Sequence, residues 1–156
     1  VDFAGAAQTF KTGRHRLAKF DVVEGISFWN DSKATNFHAV EAALAGFPAP
    51  VVLIAGGRSK GGDLTAFARR IAPRVAHVVL IGETGPALAA AFETLGTAHS
   101  SSASLEEAVR SAASLAPRGG NVVLSPGFSS FDMFRNYEDR GNQFEKAVGE
   151  LHVARV

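Results

Sequence analysis

The chain is expected to fold as a three-layer α/β domain of Rossmann-like type, with a mostly parallel sheet and helices on both faces. Three observations carry this expectation. Short valine-rich runs without polar alternation recur, as "VVLIAGG" from 51, "HVVLIG" at 77–82 and "NVVLS" at 121–125, which is the pattern of strands buried on both faces. Amphipathic stretches of helical period lie between those runs. Finally, polar segments rich in glycine or serine follow strands, at the carboxyl edge where such sheets gather ligands.

Element by element, residues 1–14 have weak periodicity and read as a linker or the tail of a preceding element, leaving 15–156 as the domain. The chain begins with valine rather than methionine, which points to a piece of a longer protein. Two β-type runs at 20–23 and 26–29 flank Glu24-Gly25, a turn suited to a hairpin. Phe37, Val40, Ala43, Leu44 and Phe47 recur at helical spacing until Gly46 and Pro48 stop the helix. Further helices are expected at 64–71, 85–95, 105–115 with Ser104 as cap, and from Tyr137 to Leu151.

Composition excludes several classes. Apolar residues make up 46% and charged residues 20%, as in ordinary folded domains. A net charge of +1 with no basic stripe speaks against nucleic acid. The chain has no cysteine, so thiol catalysis and thiolate metal sites are absent; this is compatible with a cytoplasmic setting. Five histidines, none at HxxxH or HxH spacing, make a metal site within the chain improbable. No apolar run approaches the roughly 20 residues of a membrane span.

Three polar segments could carry chemistry, and each has a structural alternative. In "NDSKATN", Thr35 or Asn36 can cap the following helix while Asp31 and Ser32 turn the chain. Alternatively, Lys33 and the hydroxyls build an anion site with the free N–H groups of that helix. "GGRSKGGD" is not a P-loop, because Lys60 is followed by Gly61; it is either a structural turn or a carboxylate or phosphate contact through Arg58 and Lys60. "SPGFSSFDMFRNY" lacks the GxSxG of a hydrolase elbow. Its phenylalanines suit a core, or a wall that excludes water around a ligand held by Ser129 and Ser130. The basic "GRHRL" at 13–17 is either solvated surface or a contact to a ligand held between domains.

Together, "HRL" at 15–17, "WNDSKATN" at 29–36, "GG" with Lys60 and "LSPGFSSFDMFRNYEDRGNQF" at 124–144 resemble the C-terminal domain of the Mur ligases, in particular the glutamate-adding type. The resemblance implies an ATP-dependent ligase of peptidoglycan synthesis, joining glutamate to UDP-N-acetylmuramoyl-L-alanine through an acyl phosphate. It assigns glutamate contacts to Lys33, Thr35, Lys60, Ser130, Phe131 and Tyr137, and nucleotide contacts to Arg16 and Asp31. It leaves the P-loop and the Mg2+ ligands to a central domain outside this chain, so the piece alone is expected to be inactive. The alternative is a non-catalytic α/β module that binds a nucleotide or a small acid. Departures from the family pattern are "KTGR" before His15, "SPGFSSFD" for "SPACASFD", and tyrosine for phenylalanine at 137.

Overall fold

Ala18–Val23 (β1) and Ile26–Asn30 (β2) pair antiparallel around a two-residue turn, with Val23 opposite Ile26. Glu24 and Gly25 have φ of 50° and 80°, the left-handed pair that matches the twist of a tight hairpin. These elements come from a computed structural model that describes residues 13–154; residues 1–12 of the expected linker lie outside them. Helix α1 (Phe37–Ala45) starts at Asn36, whose side chain accepts from the Ala39 N–H, and closes at Gly46. Of the two possible caps it is Asn36 that serves, which leaves the Thr35 hydroxyl for other use.

There follow β3 (Val51–Ala55), α2 (Leu64–Ile71), a 3-10 turn at Ala72–Arg74, β4 (Val75–Leu80), α3 (Gly85–Leu95), β5 (His99–Ser101), α4 (Leu105–Leu115), β6 (Asn121–Leu124) and α5 (Tyr137–Ala154). Asp63 and Ser104 cap α2 and α4 through their side chains, and Gly96 ends α3 in the left-handed conformation. One strand, β5, was not expected. It is short, polar and at the sheet edge, so it has no hydrophobic signature to read.

The six strands lie in the order β1-β2-β6-β3-β4-β5, and every pair except β1–β2 is parallel. Alternation along buried strands feeds two cores. Leu53, Val78, Leu80 and Val123 pack with Val40, Leu44, Phe67, Ile71 and Phe92 on the α1–α3 face. On the opposite face, Val52, Ile54, Val79 and Val122 pack with Val109, Ala112, Phe144 and Val148 of α4 and α5. The expected mostly parallel sheet with helices on both faces is therefore the fold observed. No helix among the described residues is long and apolar enough to cross a membrane. The chain runs outward from β3 to β5 and returns to place β6 against β3. Strand order thus reverses at β3 and β6, and their carboxyl ends open the crevice where α/β sheets bind ligands.

Candidate functional site

Glycine lets the three carboxyl-end loops meet. Gly56 and Gly57, after β3, have φ of 124° and 153°, a region closed to side chains. A Cβ on Gly56 would strike the Ile81 carbonyl, and one on Gly57 the Ser129 carbonyl. The same close approach lets the Arg58 N–H donate to the Ser129 carbonyl at 3.0 Å, joining the loop after β3 to the loop after β6.

The loop after β2 is fixed by buried polar groups. Asp31 is 5% exposed. Its Oδ1 accepts from the Leu17 N–H at 2.9 Å and its Oδ2 from the Ser125 hydroxyl at 2.8 Å, so one carboxylate ties the incoming chain to the end of β6. Leu17 has φ of 48°, a conformation that costs a side-chain-bearing residue roughly 1–2 kcal/mol, and the bond to Asp31 helps hold it there. Burial pushes the Asp31 carboxyl up from 3.8 to about 7, against the opposing pull of Ser125, Leu17, Arg16 and Arg140.

A carboxyl whose folded value lies above its unfolded one favours folding when protonated, so its contribution is complete below about pH 4 and is lost as pH rises through about 7. Unfolding free energy measured against pH should contain this fall, and Asp31→Asn should remove it. Equal slopes in the two proteins would exclude Asp31 as the cause.

Arg140, in the first turns of α5, is fully buried. Its guanidinium donates to the Ser32 hydroxyl at 2.9 Å, the Ser32 carbonyl at 2.7 Å and the Phe128 carbonyl at 3.0 Å. The Ser32 hydroxyl in turn donates to the Tyr137 carbonyl at 2.7 Å. One side chain thus links the loops after β2 and β6 to the start of α5. Burial lowers its pKa to about 10, against the pull of Asp132 and Asp31, so it is charged at neutral pH.

The candidate residues divide between two clefts on either side of the 31–37 segment. Arg16, Asp31 and Lys33 line one of about 380 Å³, whose far wall is Ala39, Ala42 and Ala43 of α1. There the Lys33 ammonium lies 4.6 Å from the Tyr137 ring centroid and 3.2 Å from its hydroxyl. Thr35 and Lys60 line the other cleft, of about 160 Å³, with Arg58 and the rings of Phe37 and Phe128. Lys33 and Thr35, two residues apart, therefore face different spaces. Ser130 is buried beside this edge and Phe131 is 61% exposed, so the "SSF" run does not present a single surface. Phe128 belongs to the core, where it packs edge-on to Phe37.

Sequence reasoning misses Arg140, Asn30 and Ser125. A serine at a strand end and an arginine in a polar helix carry no signal of their own, because their partners lie about a hundred residues away in sequence. Among the described residues, no group of three or more His, Asp or Glu is placed to hold a metal ion.

Residues 15–128 match the family described as "Mur ligase, glutamate ligase domain". The chain is 45% identical over 88% of its length to the UDP-N-acetylmuramoylalanine--D-glutamate ligase of Syntrophotalea carbinolica, and 40% identical over 99% to that of Chlamydia caviae. It spans 30% and 36% of those two proteins. Among solved structures it is similar to a murein peptide ligase of Psychrobacter arcticus (TM-score 0.64, 16% identity, 93% of this chain and 32% of that one). It also resembles a single domain of a ligase from Haemophilus ducreyi (TM-score 0.59, 15% identity, 85% of this chain and 98% of that one); at these identities both support the fold alone. With the family match covering most of the domain and relatives 40–45% identical over 88–99% of the chain, this protein belongs to the Mur ligase family, as its glutamate ligase domain.

Proposed function

We propose that residues 15–156 form the C-terminal domain of a cytoplasmic ligase that uses ATP to join glutamate to UDP-N-acetylmuramoyl-L-alanine in peptidoglycan precursor synthesis. Residues 1–14 would connect it to a central domain that carries the P-loop and the Mg2+ ligands. The observation that carries this reading is the pair of cation-bearing clefts beside the 31–37 segment, in a chain whose relatives are named for that reaction.

In this scheme ATP passes its γ-phosphoryl group to the muramoyl-alanine carboxylate, giving ADP and an acyl phosphate. The glutamate amine attacks the acyl carbon, sheds a proton, and phosphate leaves from the tetrahedral intermediate as the amide forms. This domain contributes by position rather than proton transfer. Thr35 and Lys60 on one side of the 31–37 segment and Lys33 on the other are assigned to the two glutamate carboxylates, one carboxylate to each cleft, with Ser130, Phe131 and Tyr137 as the further contacts of that set, so the amine is the free end. Arg16 and Asp31 lie toward the nucleotide. Asp31 spends its carboxylate on Leu17 and Ser125, so its part is to shape the floor of the cleft as much as to accept from a ribose hydroxyl.

A coupled assay of the full-length enzyme tests the reading. ADP release is expected with UDP-N-acetylmuramoyl-L-alanine and D-glutamate, far above that with L-glutamate, and the 156-residue chain alone should show none. Failure with both enantiomers would overturn the substrate assignment. Turnover by the isolated chain above an inactive control would overturn its dependence on the other domains.

A further inference from the structure

The geometry points to Asn30 as a positioning residue that holds the His15 imidazole in its Nε2–H tautomer, turning His15, the residue before Arg16, into a fixed hydrogen-bond donor. The orientation of the Asn30 amide follows from its two ends. Its Oδ1 accepts from the Ser32 N–H at 3.1 Å, which leaves Nδ2 on the other side as a donor. Nδ2 lies 2.9 Å from Glu145 Oε2, 3.3 Å from the Gly141 carbonyl and 3.0 Å from His15 Nδ1. Glu145 also accepts from Arg14, at 2.7 Å. The amide has two protons for these three neighbours, the Gly141 carbonyl being the most distant; a proton on His15 Nδ1 would point at a nitrogen that only donates, so Nδ1 is left unprotonated and in a neutral imidazole the proton resides on Nε2.

The ring has little freedom to escape this contact. A Cβ on Gly141 would strike it, the Tyr137 ring stands edge-on with centroids 6.1 Å apart, and the His15 carbonyl accepts from the Lys33 N–H at 2.9 Å. His15 Nε2 has no hydrogen-bond partner among the described residues. A fixed donor on the residue before Arg16 is available to an anionic oxygen of a ligand that extends past the cleft lined by Arg16 and Lys33. That use rests on the ligase reading, whereas the tautomer assignment does not.

Long-range 1H–15N correlation spectra of this chain, recorded at about pH 8.5, above the usual imidazole titration, read the tautomer directly. The expected result is His15 as a single Nε2–H species, with Asn30→Asp, which exchanges the donor for an acceptor, losing that state. Asn30→Ala gives a second means of removing the donor should the aspartate variant fold poorly. An Nδ1–H or mixed His15 in the unaltered chain would overturn the proposal, and so would an unchanged Nε2–H species in a folded Asn30 variant. Loss of D-glutamate-dependent turnover in the full-length assay would bear on the ligase reading and leave this result standing.

Discussion

Arg140→Met is expected to lower the unfolding free energy of this chain by about 3 kcal/mol. Methionine fills much of the volume but donates nothing, so two buried carbonyls and the Ser32 hydroxyl lose charged donors. Hydrogen bonds to a charged group are worth roughly 1.5–3 kcal/mol each, and orphaned buried acceptors carry their own penalty. Against that loss stands the relief of no longer burying a cation, which is why the figure is well below the sum. Urea unfolding measures it. A loss under about 1 kcal/mol would mean that the loops keep their places without the guanidinium. In the full-length enzyme the same change should lower kcat/KM for glutamate, because Lys33 and Ser32 are neighbours on the loop that Arg140 holds.

The second large effect is on catalysis. Lys60→Ala and Lys33→Ala in the full-length enzyme are each expected to cost about 2 kcal/mol of kcat/KM for glutamate, or roughly thirtyfold. Lys60 is exposed, so its removal should leave stability within about 0.5 kcal/mol. The kinetic loss would then be binding and not folding. Lys33 also rests on Tyr137, and its loss should show in both measurements. Steady-state kinetics with glutamate varied is the check; unchanged constants in both variants would remove the two lysines from the pocket.

The contrast between these two predictions shows where sequence is informative. Lys60 stands out because a cation amid glycines after a buried strand is locally conspicuous. Arg140 sits in "YEDRGNQF" among other polar residues, where a solvated helix face is the ordinary reading. Only the packing of α5 against the loops after β2 and β6 reveals that it is buried. The same holds for the sheet. β3 and β6 announce themselves as unbroken apolar runs, while β5, reading His-Ser-Ser, exists because its backbone completes the ladder beside β4. The division of the 31–37 segment between two clefts is also invisible in sequence. Spacing places Lys33 and Thr35 together, but the turn into α1 sends them to different sides.

The short stretch from Gly13 to Leu17 is fastened both to α5, through Arg14 to Glu145, and to the site, through His15 to Lys33 and Leu17 to Asp31. Mechanically, tether and pocket wall are one object. A torque applied at Gly13 would reach the Asp31 carboxylate through a single hydrogen bond, while α3 and β5 on the far edge would feel it only after it had crossed the sheet. Tension at Gly13 is therefore expected to load the wall of the cleft directly, through Leu17 and Asp31.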